Sequence, residues 1–299
     1  MSHEALAKMA SYAFVAGGLS TILALIGYVF YALSGVRSAR LAAAGISMTT
    51  GRVGFVSGPR TASLGRYASL LAWLGFALLG ASMVFRAFAT GHGPFSNMYE
   101  FSIAFSFGIL GAYLWFERKY HQRVLGLLAV PVALALLGYA WTIPADIEPL
   151  VPALQNNLLL TVHVATAIVA YGSFTVAFAA ALLYLMQPET GRWGLPKPQI
   201  LDEIGYRAIV VGFPFLTLTI VLGALWADVA WGRYWGWDPK ETASLVTWFI
   251  YGAYLHARVV RGWRGNKAAI LLLVGFGATL MTYFGNLFFG GLHSYSGLG

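Results

Sequence analysis

Residues 226–248 read WADVAWGRYWGWDPKETASLVTW, a stretch that holds five of the chain's ten tryptophans around a short polar turn. Apolar residues run on either side of that turn for about the 20 residues a helix needs to cross some 30 Å of hydrocarbon. Such runs recur along all 299 residues, 59% of which are hydrophobic and only 10% charged. A segment in lipid must satisfy its backbone hydrogen bonds internally, so the composition predicts an all-α integral membrane protein. Eight spans are expected, over roughly 10–33, 67–89, 97–116, 124–142, 157–186, 205–227, 241–259 and 268–290.

A formal charge of +8 would suggest nucleic acid in a soluble protein, but here the cations alternate with the spans. Fifteen of the 19 basic residues fall within 37–66, 118–123, 192–207 and 258–267. By the positive-inside rule these connections face the cytoplasm or its equivalent, and both termini and the tryptophan-rich loop face outside. The charge is therefore read as topology, and no nucleic-acid partner is expected. Lys8, Arg86, Arg233 and Lys240 are the cations left for the outer side. Arg37 and Arg40 follow the first span, which is read as an uncleaved anchor. The chain divides into that anchor with a basic inner linker (1–66) and a transmembrane core (67–299) that includes the loop 226–242. With no cysteine present, any thiol chemistry must use a partner's cysteines.

His163 lies just inside the outer end of the fifth span and His293 just past the outer end of the eighth. Either alone reads as a hydrogen-bonded interface residue. As a pair from separate spans, on the side of the tryptophan loop, they also fit two axial ligands on opposite faces of a haem. His256 falls about fifteen residues beyond Glu241, roughly 22 Å along the seventh helix. An ionisable residue in a span is costly unless paired. Its ring either bonds a neighbouring oxygen or awaits a mate from another protein, since no second histidine lies at that depth.

Part of the loop is helix initiation. Asp238 suits the N-cap, Pro239 the first helical position and Glu241 the third, as in a capping box. Asn97 and Glu100 repeat the spacing in GHGPFSNMYEF. Trp231, Tyr234, Trp235 and Trp237, set around Gly232 and Gly236, are left over. They suit either an interfacial aromatic belt or a platform for a flat ligand. Neither GxxxxGK nor HExxH occurs.

The run WGRYWGWDPKE (231–241), followed by TWFIYGAYLHARVVRGWRGNKAA (247–269) and TYFGNLFFGGLHSYS (282–296), closely resembles the tryptophan-rich "WWD" superfamily of haem-handling proteins. Within it the match is to the CcsA (ResC) family of System II cytochrome c biogenesis, as it is for PFSNMYEF (94–101) and LLTVHVATAIVAYGSF (159–174). The resemblance implies a site at the outer face that holds haem b for covalent attachment to the CxxCH cysteines of apocytochrome c. It implies His163 and His293 as external axial ligands, and Trp231, Trp235, Trp237 and Asp238 as the haem platform. His256 becomes the transmembrane haem ligand, whose mate comes from a CcsB-type membrane partner. Arg233 and Lys240, cations on a side poor in them, become partners for the haem propionates, unless they and Arg86 merely snorkel to the headgroups. Thiol-reducing proteins acting on the apocytochrome are further implied partners. The expected activity is that of a cytochrome c haem lyase (synthetase) working in a complex. The alternative is a haem exporter or carrier that presents haem without attaching it. The expected location is the bacterial plasma membrane or the thylakoid. Two positions depart from the family pattern: Ala243 where a tryptophan is frequent, and WADVAWG in place of an Asn-Glu form.

Overall fold

The computed structural model describes residues 2–43, 59–147, 150, 154–155, 157–187 and 195–293. Most of the basic linker (44–58), Arg192 and the terminal Ser294, Tyr295 and Ser296 lie outside the described residues. Within them are eight α-helices: α1 (His3–Ala43), α2 (Pro59–Thr90), α3 (Met98–Tyr120), α4 (Gly126–Trp141), α5 (Asn157–Met186), α6 (Pro198–Trp231), α7 (Pro239–Val260) and α8 (Asn266–Phe288), with a 3-10 turn at Arg123–Leu125. Seven are long and apolar enough to cross a membrane, which makes this a multi-pass membrane protein. The exception is α7, which has the length but carries Lys240, Glu241, His256 and Arg258.

The helices outrun the apolar stretches expected of them. Instead of 205–227, α6 occupies 34 residues, opening on Pro198 and closing where Gly232 takes φ 70° and donates its N–H to the Asp228 carbonyl. A left-handed glycine just past the last helical residue is the usual way to stop a helix. Likewise the linker is helical at both ends, since α1 continues to Ala43 and α2 begins at Pro59.

Small residues set the closest approaches. At Gly172 a Cβ would lie 2.5 Å from the Gly108 carbonyl oxygen, so α3 and α5 cross backbone to backbone. Close packing through glycine is how membrane helices gain contact without a hydrophobic driving force between them. From this crossing α5 also packs on α6 and α8 and becomes the central helix.

Charges inside this core are paired, as low dielectric requires. At one end of the bundle the Glu117 carboxylate accepts hydroxyls from Tyr28, Ser69 and Tyr113 and lies 3.5 Å from Arg123, tying α1, α2, α3 and the 3-10 turn together. Arg258 grips Asp202 through two nitrogens at 2.8 and 2.6 Å, joining α7 to α6. At the opposite end Arg86 is buried, only 6% exposed. Its Nε donates to Glu100 at 2.7 Å, while Nη1 and Nη2 donate to the carbonyls of Ala145 and Asp146. Arg86 is thus a brace between two outer loops, which corrects the expectation that it snorkels or meets a haem propionate. Glu100 departs from the expected capping box for the same reason. Asn97 caps the Glu100 N–H at 3.0 Å, but the Glu100 carboxylate turns to Arg86 and to the N–H and hydroxyl of Ser96.

Replacing Gly172 with Ala is expected to force α3 and α5 apart and to cost ~1–3 kcal/mol, the usual range for overpacking. Gly18→Ala, where a Cβ meets open space, should leave the protein as stable as before. Thermal unfolding in detergent checks both, and equal melting of the two variants would contradict the crossing.

Candidate functional site

His163 sits in the first third of α5 with its ring laid against α6. Its Nδ1 lies 2.9 Å from the Thr219 carbonyl oxygen, so Nδ1 carries the proton and donates. That tautomer leaves the lone pair on Nε2. The Trp226 ring lies nearly parallel to the imidazole, at 12° and 6.4 Å between centroids, and is 2% exposed.

His293 reaches the same region from the segment after α8. Its Nδ1 lies 2.8 Å from Asp238 Oδ2, at the N-terminus of α7. Burial pulls the His293 imidazole below its ordinary value of 6.5, against the opposing pull of Asp238. Burial would raise the Asp238 carboxyl, but the His293 hydrogen bond and the backbone amides of Lys240 and Leu292 outweigh it and hold the group ionised. The contact is therefore a neutral imidazole N–H donating to a carboxylate. Both histidines share this arrangement, in which Nδ1–H is fixed by an oxygen and Nε2 is the nitrogen suited to a metal. The tail passes so close that a Cβ on Gly291 would run into the Asp238 carboxylate.

Between Gly232 and Asp238 the chain makes a tight excursion. Trp237 adopts φ 56°, a left-handed conformation that costs a residue with a side chain of order 1–3 kcal/mol. Glu241 holds it there, its carboxylate accepting the amides on either side, Gly236 N–H at 2.8 Å and Asp238 N–H at 3.1 Å. The second of these is also the back-bond of the expected capping box. Trp231 stands edge-on to Trp226 at 4.7 Å and to His293 at 5.0 Å. Trp235 meets Trp237 edge-to-face at 5.8 Å, and Trp237 itself is 69% exposed.

These elements border an open cavity between α3, α5, α6, α7 and the tail. His163, His293, Trp226, Tyr234, Trp235 and Lys240 all line it, and Met98, Phe101 and Phe105 form the α3 wall. Among the described residues no group of three or more His, Cys, Asp or Glu could hold a bare metal ion. Two imidazoles are nevertheless enough for an iron already held in a macrocycle.

The expected site residues are thus gathered unevenly. His163, His293, Trp235 and Lys240 border the cavity, with Trp231 and Asp238 directly behind His293. Trp237 and Arg233 are exposed on the loop and are not part of the lining. His256 lies far from it, one turn before the end of α7, with its ring exposed. Sequence reasoning missed Trp226 as a contact of both histidines, although it opens the tryptophan stretch; its distance to His293 is 5.8 Å. Thr219 and Gly223 escaped as well; their only trace was the 219, 223, 226 spacing, which puts three residues on one stripe of a helix.

The family described as "Cytochrome C assembly protein" matches residues 95–293. The "Cytochrome c biogenesis protein CcsA" of Porphyra purpurea is 34% identical over 288 residues, covering 80% of this chain and 90% of that protein. The protein of the same description from Synechococcus elongatus is 36% identical over 273 residues, covering 73% and 82%. Among solved structures, "Cytochrome c Heme Lyase CcmF" superposes with a TM-score of 0.59 at 20% identity. That likeness covers 91% of this chain but 46% of the lyase, so it is a likeness of fold over about half of the larger protein. With the family match spanning more than half of its length, and relatives above 30% identity over most of it, the chain belongs to the CcsA family of cytochrome c biogenesis proteins.

Proposed function

We propose that the cavity between His163 and His293 holds haem b, as substrate, at the outer membrane face, for covalent attachment to the CxxCH cysteines of apocytochrome c. One observation carries the reading: two neutral-type imidazoles from separate elements border one cavity, each with Nδ1 tied to an oxygen. The chain then works as a haem lyase within a complex. Attachment adds a cysteine thiol across each vinyl group, chemistry that resides in the porphyrin. The protein's part is placement. His163 and His293 provide the axial nitrogens, Trp226 and Trp235 flat wall, and Lys240, its Nζ 5.6 Å from the Phe101 ring, a cation for a propionate. Arg233 and Trp237, on the exposed part of the loop, act at the rim, where the apocytochrome arrives. The cysteines come from that partner, kept reduced by separate thiol-reducing proteins, because this chain has none.

His256 supports a two-component arrangement. Its exposed ring on α7 is placed for a second imidazole from a CcsB-type membrane partner, giving an inner haem site on the route to the outer one. The core 67–299 carries both sites, and the anchor and linker 1–66 carry neither. The tryptophan loop and both termini face the periplasm or thylakoid lumen.

His163→Gly and His293→Gly are each expected to cut covalent haem on a CxxCH reporter at least tenfold when the chain is co-expressed with its partner, and added imidazole should restore part of it. Full maturation in both variants would refute the site, whereas haem binding without attachment by the unaltered complex would favour a carrier. Asp238→Ala is expected to weaken haem retention on purification by 10–100-fold, the usual effect of losing the group behind a ligating histidine. Retention equal to the parent would show that His293 does not ligate. A reporter placed after Gly299 should report from outside and one at 261–265 from inside; the reverse would put the cavity on the wrong side of the membrane.

A further inference from the structure

The stripe Thr219, Gly223, Trp226 recurs at i, i+4 and i+7 along α6, so the three residues face one way. His163 of α5 lies against all three. Its Nδ1 donates to the Thr219 carbonyl at 2.9 Å, and its face lies parallel to Trp226. A Cβ built on Gly223 would stand 2.8 Å from Cε1, 3.2 Å from Nδ1 and 3.8 Å from Nε2 of the same ring. The imidazole thus occupies the space that any other residue at 223 would fill. It cannot sidestep, because sliding along the helix breaks the Nδ1 bond and tilting away loses the Trp226 face.

We infer that Gly223 is a positioning residue for haem ligation, the open floor of a slot on α6 that fixes the plane and height of the His163 imidazole. The slot rests on His163 being an axial ligand. Its logic is visible in what glycine forgoes. In the interior of a helix, glycine is less favourable than alanine. Gly18, where a Cβ would meet open space, shows that not every glycine in this protein has such a reason.

An added methyl at 223 favours the helix, and the nearest atoms it meets are all of the His163 ring and none of a neighbouring backbone, so Gly223→Ala folds while the ring gives way. With the partner and CxxCH reporter present, it is expected to lower covalent haem at least tenfold and to lose the low-spin bis-imidazole spectrum at the outer site. Imidazole should restore both in part, as it does for His163→Gly, because the iron lacks a ligand and the fold is intact. In His163→Gly, Gly223→Ala should add nothing further, since the ring it displaces is gone. Full maturation and an unaltered spectrum in Gly223→Ala, beside a clear loss in His163→Gly, would overturn the slot while leaving the ligand in place. A double variant much worse than His163→Gly and deaf to imidazole would also overturn it, as damage unrelated to the ring. No loss in His163→Gly itself would remove the ligand reading and the slot together.

Discussion

The Asp238 carboxylate is where the tryptophan loop, α7 and the segment after α8 meet. It stands at the start of α7, accepts the Nδ1–H of His293 from the tail, and is crowded by the tail's Gly291. Without it the last turn of the tryptophan loop, the N-terminus of α7 and the segment after α8 would have no common fixed point. A helix N-terminus favours negative charge, so the carboxylate is stabilised by the helix it starts while serving the histidine beside it. One side chain thereby couples secondary structure to ligand placement, and the acidity that looks like simple capping has two uses.

A second fixed point lies across the cavity. The Arg86–Glu100 pair is buried and saturated, and losing one member of such a pair typically costs about 3–5 kcal/mol because the other charge is stranded. It anchors the first turn of α3, from which Met98 and Phe101 reach the cavity wall. Lys240 rests over Phe101 from the opposite side, so the two halves of the outer face touch through a cation and a ring. The cavity is thus held open between two anchored rims.

The sequence made the helices legible because apolar length is a one-dimensional property, and a helix covers each of the eight expected spans, although α7 by composition falls short of a membrane span. Their ends were less so: α6 runs on past its apolar stretch because Pro198 and Gly232, not hydropathy, set its limits. The histidine pair was legible as two rings at the ends of separate spans, and both border one cavity. What stayed hidden depends on neighbours in space. Glu100 reads as a cap until Arg86, fourteen residues earlier, claims its carboxylate. Gly223 reads as one small residue among many until the ring of His163, sixty residues away, is seen above it. Trp237 was grouped with Trp235 by composition, whereas Trp237 itself takes a left-handed backbone and is exposed while Trp235 lines the cavity.

The length of α6 has a consequence of its own. Thirty-four residues at 1.5 Å each make a rod of about 51 Å, against about 30 Å of hydrocarbon. Against the expected apolar stretch 205–227 the helix overreaches at both ends, and Trp231 and the loop stand beyond that stretch. The helix whose Gly223 lies beneath the His163 ring is thus also the one that sets how far the tryptophan loop stands from the apolar belt.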